Sequence, residues 1–186
     1  MDARYLTTAE LEAGLDAIRQ APADAGVLRL IVRRPQEHER EVVSEAQLDT
    51  AQGLVGDNWL ARGSRLSEDG SAHPDMQLTI MNARAIALVA VEKDRWALAG
   101  DQLYVDMDLS QANLPPGTRL AIGSAVVEIT AEPHNGCKLF AQRYGKDAVR
   151  FVNSPVGKQL RLRGLNAKVV EGGAVRVGDA VKKLIA

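Results

Sequence analysis

Turn residues cut the second half of this 186-residue chain into short apolar runs, and that spacing leaves few folds open. Residues 102–109, 118–122 and 125–131 carry strand-forming side chains, and Pro115-Pro116-Gly117 and Gly123-Ser124 punctuate them. The spacing predicts a hairpin for the last two runs. A further run, 166–171, the turn Gly172-Gly173 and residues 174–177 predict a closing hairpin. Upstream, residues 27–33 and 40–49 are strand-like, the latter through Val42, Val43 and Leu48. The apolar run 77–81 feeds a helix over 83–92 that Asn82 can cap.

Other helices are few and short. Thr7 and Glu10 form a capping box, and Leu11, Leu15 and Ile18 recur along one face before Pro22. Residues 137–144 predict a short helix stopped by Gly145, and 147–153 another that ends before Pro155. Many short strands with a few interposed helices predict a mostly β chain with peripheral helices, α+β in class, closed as a β-barrel rather than laid out as a parallel βαβ sheet. Residues 1–26 are expected to form an N-terminal helix and connector, and residues 27–186 one domain.

Composition narrows the function classes. One cysteine rules out an intramolecular disulfide framework and, with no apolar leader after basic residues, points to a reducing cytoplasm. No stretch is apolar for long enough to span a bilayer, so no membrane partner is expected. Twenty-three basic against 24 acidic residues give a net charge of -1, which offers no global attraction for nucleic acid. Aromatic residues at 4% argue against base-stacking surfaces as well. Any anion site must be local.

The chemistry concentrates in Thr130-Ala131-Glu132-Pro133-His134-Asn135-Gly136-Cys137-Lys138-Leu139. This segment leaves a strand, turns at Pro133 and Gly136, and sets Cys137 at the start of a helix. Unpaired backbone N–H groups there, with Lys138, favour a thiolate, the form that ligates metals or attacks electrophiles. A lone cysteine is more often an inert filler, and its neighbours His134 and Lys138 weigh against that reading. Lys138, Arg143, Lys146 and Arg150 recur at spacings that gather cations on one helical side, either an anion site or a solvated face. The loop Gly53-Leu54-Val55-Gly56-Asp57-Asn58-Trp59 offers two polar side chains but no phosphate-loop lysine. His38, His73 and His134 lack zinc-ligand spacing, and no serine lies in a nucleophile elbow.

In order along the chain, Gly53-Leu-Val-Gly-Asp57, Gly100-Asp-Gln-Leu103, Asn113-Leu114, Thr118-Arg-Leu-Ala-Ile-Gly123, Pro133-His-Asn-Gly-Cys-Lys-Leu139 and Gly172-Gly-Ala-Val-Arg-Val-Gly-Asp179 resemble the MOSC domain. That domain takes its name from the C-terminal part of molybdenum cofactor sulfurases. The resemblance implies a β-barrel-like fold and a site for the molybdenum–pterin cofactor, with Cys137 as metal ligand and catalytic residue. It further implies an oxidoreductase that reduces N-hydroxylated small molecules with electrons from a separate donor protein. Lys138, Arg143 and Arg150 are then candidates for the pterin or its phosphate, Asp57, Asn58 and Asn113 for polar contacts, and His134 for passing a proton. The alternative is a non-redox carrier or binding module in which Cys137 holds a persulfide. No aminotransferase-like domain accompanies these motifs, so pyridoxal phosphate is not expected. Gly136 stands where the family usually has proline. Neither substrate nor oligomeric state follows from the sequence.

Overall fold

In the computed structural model, which describes residues 4–184, seven strands close into a barrel. They are β1 (Gly26–Arg33), β5 (Leu78–Asn82), β6 (Leu103–Asp106), β7 (Arg119–Ile122), β8 (Ala125–Ile129), β9 (Leu165–Glu171) and β11 (Ala180–Leu184). Around the wall the order is β1, β11, β7, β8, β9, β5, β6 and back to β1. Every pairing is antiparallel except β5 with β6, which needs a crossover. Helix α4 (Ala83–Ala90), capped by the Asn82 side chain, and the 3-10 segment Lys93–Ala99 supply it.

A second small sheet stands beside the barrel. It joins β3 (Glu45–Asp49), β4 (Gly53–Leu54) and β10 (Gly173–Arg176), while β2 (Glu41–Val43) extends β1. The expected closing hairpin is therefore not formed. Strand β9 is taken by β5 and β8, and β10 crosses to pair with β3. The crossing brings two backbones together, because a Cβ on Gly173 would stand 2.4 Å from the Ser124 carbonyl carbon.

Two apolar clusters share the wall. Leu28, Ile31, Ile80, Leu103, Val105 and Val127 fill the barrel. Leu30, Val32, Met81 and Tyr104 face outward and pack on helices. Strand β1 changes face between Leu28 and Leu30 through a register shift, which lets one strand serve both clusters. Strand β5 is buried at all five positions, so it lies at the junction. The outer layer holds α1 (Thr8–Ala13), α2 (Leu15–Arg19), α5 (Lys138–Tyr144), α6 (Lys146–Asn153) and α7 (Pro155–Gln159), with α3 (Trp59–Arg62) in the loop after β4. The single N-terminal helix expected from Leu11, Leu15 and Ile18 breaks at Gly14, whose missing side chain admits Leu88 of α4. Among the described residues no helix is long and apolar enough to cross a membrane.

Candidate functional site

Cys137 stands at the N-cap of α5 in extended backbone, exposed, with no hydrogen bond from its side chain to the helix. A two-way clamp fixes the loop before it. The Gly136 N–H donates to Asn153 Oδ1 at 2.8 Å, and Asn153 Nδ2 donates to the Gly136 carbonyl at 2.9 Å. A proline at 136 would have no N–H to give. A Cβ there would also stand 2.8 Å from Val152 Cγ2 and 2.9 Å from Val149 Cγ2. The departure from the usual residue thus matches how tightly this loop lies on α6.

Against the start of α5 lies a pocket of about 230 Å³. Cys137 and His134 line it, and so do five arginines: Arg34, Arg40, Arg62, Arg143 and Arg163. Two of these are neutralised in the wall. Arg34 grips Asp57 in a fork, Nε to Oδ2 at 2.8 Å and Nη2 to Oδ1 at 2.7 Å, and the Asp57 side chain is wholly buried. Arg163 Nη1 donates to Asp101 Oδ2 at 2.5 Å and stacks over Phe140.

Asp101 also binds His134, Nε2 to Oδ1 at 2.9 Å. Burial alone would push the Asp101 carboxyl up, but the Arg163 charge and the hydrogen bonds from Arg163 and His134 outweigh it and hold Asp101 well below the usual carboxylate range. An ionised Asp101 only accepts, so the His134 proton sits on Nε2 and Nδ1 keeps its lone pair. Burial, then Arg163, depresses the His134 pKa, and Asp101 restores only part of that.

The other three arginines have no acid. Among the described residues Arg40, Arg62 and Arg143 form no salt bridge, and each faces the same pocket. Burial, followed by repulsion from Arg143 and Arg34, lowers the Arg40 pKa. Arg40 Nε, His73 Nδ1 and Asn166 Oδ1, all on residues lining this pocket, are buried without a hydrogen-bond partner, as is Arg163 Nε. Buried polar atoms are rarely left so: Arg40 Nε and Arg163 Nε are donors that an anion would satisfy, whereas Asn166 Oδ1, whose Nδ2 is already committed to the Glu132 and Pro133 carbonyls, is an acceptor that calls for an N–H or O–H on the ligand. At the lip, Gly63 has φ +68, and a Cβ on it would strike the Gly70 carbonyl oxygen at 2.1 Å, so only glycine closes the loop there.

Of the residues singled out in the sequence, the structure brings Cys137, His134 and Arg143 together in this pocket. Asp57 acts through Arg34. Asn58 lies in an adjoining cleft with Arg40 and Arg62, its Oδ1 buried and unpaired. Lys138 points to solvent, and Arg150 pairs with Asp147 at 3.6 Å on the exposed side of α6. Asn113 lies elsewhere, bonded to the Ala23 and Asp108 carbonyls and to Lys183. Arg34, Arg40, Arg62, His73, Asp101, Arg163 and Asn166 carried no signal of local spacing, since five separate segments supply them. Asp101 alone lay in a quoted motif, Gly100-Asp-Gln-Leu103.

The donor set excludes a bare metal site. Among the described residues no three His, Cys, Asp or Glu side chains gather to hold an ion. One thiol beside uncompensated arginines and unsatisfied polar atoms fits a metal that arrives with sulfur ligands and a phosphate of its own.

Residues 67–182 match the MOSC domain. Solved structures share the fold. The YuaD protein from Bacillus subtilis is 15% identical over 85% of this chain and 95% of its own, with a TM-score of 0.62. YiiM from Escherichia coli is 16% identical over 86% of this chain and 70% of its own, at 0.55. YiiM from Geobacillus stearothermophilus is 11% identical over 88% and 75%, at 0.54. No curated protein matches the chain.

Proposed function

The chain belongs to the MOSC domain family, and from that premise we propose that the Cys137 pocket binds a molybdenum–pterin cofactor and uses it to reduce N-hydroxylated small molecules. One observation carries the reading: the only cysteine lines the same pocket as three arginines without acids and a set of unsatisfied buried polar atoms. When bound, the cofactor supplies a two-electron redox centre already ligated by sulfur.

The chain's own residues hold, orient and protonate. Cys137 offers one thiolate to the metal, a soft donor suited to it. Arg40, Arg62 and Arg143 would receive the phosphate, and Asn166 Oδ1 would accept from an N–H of the pterin. His134 takes a proton at Nδ1 and passes it toward the substrate, while Asp101 keeps the ring oriented. Conversion of N–OH to N–H and water consumes two electrons and two protons; the electrons come from a separate donor protein.

Protein expressed in a molybdenum-competent host should carry molybdenum and pterin and reduce benzamidoxime with a chemical reductant. Cys137→Ser should abolish that reduction. Absence of both molybdenum and pterin, with equal reduction by wild type and Cys137→Ser, overturns the proposal. A second reading, a sulfur carrier, is favoured by the exposure of Cys137, which a second protein can reach. Loading with a sulfur donor would then add about 32 Da, one reducible sulfur atom, to the intact mass.

A further inference from the structure

Behind the loop that carries Cys137 lies another cavity of about 260 Å³, large enough for a small anion and several waters. Its wall is the segment from Thr130 to Asn135 on one side and α7 with the turn at Arg161 on the other. Three of its lining side chains are cationic, Lys158, Arg161 and Arg163, and one is acidic, Glu132.

Arg161 and Lys158 form no salt bridge among the described residues, and Arg163 is committed to Asp101 in the wall. The Arg161 backbone is held in the left-handed region, φ 49, where non-glycine residues are uncommon. Nη1 of the same residue ties it to the Leu109 and Leu114 carbonyls at 3.3 and 2.6 Å. That leaves its other guanidinium nitrogens free for a ligand. Burial lowers the Arg161 pKa. Arg163, 7% exposed, lines this cavity too and carries the buried Nε that has no partner.

We propose that this second cavity is a binding site for a small oxyanion, a phosphate- or carboxylate-bearing molecule held by Lys158 and Arg161. It is separate from the Cys137 pocket and does not depend on the cofactor reading. His134 and Arg163 line both cavities, so an anion in one alters the charge seen in the other, and coupling of two sites is reciprocal.

The test uses the cofactor-free 186-residue chain and backbone amide NMR, with inorganic phosphate and succinate as probes. Saturable shifts at Lys158, Arg161 and Gly164 are expected for at least one probe. Lys158→Ala should weaken that binding about tenfold, the scale of one charge-assisted hydrogen bond, while saturable shifts at Gly63 and Ser64 in the other pocket persist. Arg161→Gln should weaken it further. Among the described residues the Lys158 side chain makes no hydrogen bond, so its removal tests binding even if Arg161→Gln unfolds. Shifts confined to Gly63 and Ser64, no saturation with either probe, or unchanged affinity in Lys158→Ala would each overturn the site. Molybdenum content reports only on the Cys137 pocket, so the two proposals fail separately.

Discussion

Two sets of arginines face one pocket and have opposite fates. Arg34 and Arg163 are about nine-tenths buried and each is locked to a fully buried aspartate. Arg40 and Arg143 are half-buried, Arg62 is exposed, and none has an acid. The first set is structure: a buried charge survives only with its partner. The second set is recruitment, since positive charge gathered without compensation costs stability until an anion arrives. The same residue type thus builds the wall or serves the ligand according to whether a carboxylate sits opposite.

The largest effect should come from breaking the structural set. Asp101→Asn leaves Arg163 buried without its counter-ion and should cost about 3–5 kcal/mol in urea unfolding, the usual scale for halving a buried pair. If unfolding is unchanged, the distinction between the two sets collapses. Removing the recruiting set should do the reverse. Arg40→Gln, Arg62→Gln and Arg143→Gln together should leave the unfolding free energy measured in urea within about 1 kcal/mol of wild type. The same triple variant should lower pterin retention by about tenfold or more.

The clamp on the Cys137 loop is intermediate. Asn153→Ala loses two hydrogen bonds and should cost about 1–3 kcal/mol, with faster amide exchange at Gly136. pH sharpens the comparison further. His134 has a lowered pKa in the fold, so the unfolded chain binds its proton more readily as pH falls below about 6.5, its ordinary value. Stability should therefore decline on acidification from pH 7 toward 5.5, and His134→Gln should flatten that slope. Asp101, also depressed, stabilises the fold throughout this window and is lost only at more acidic pH. The smallest effect on stability belongs to Cys137→Ser, within about 0.5 kcal/mol, because the exposed thiol packs against little and caps nothing.

Much of the fold was legible in local pattern. The hairpin of β7 and β8, the Asn82 cap and the helix opening after Cys137 all follow from turn residues and capping chemistry that act within a few positions. The pairing of β10 was not legible, because Gly172-Gly173 signals a turn but not which strand waits beyond it. Nor was α7, where Pro155 marks a helix start as readily as a stop.

By itself the sequence determined a strand-rich chain with peripheral helices and a single thiol at a strand-to-helix turn. It also carried the ordered motifs that place the chain in its family, because these depend on residue type and near-neighbour spacing. Only the tertiary structure decided which cations surround that thiol. Arg34, Arg40, Arg62, Arg143 and Arg163 are spread over about 130 positions of chain, and no local periodicity links them. Barrel closure brings their segments to one pocket, and the placement of Asp57 and Asp101 then settles which are neutralised and which stand ready for an anion.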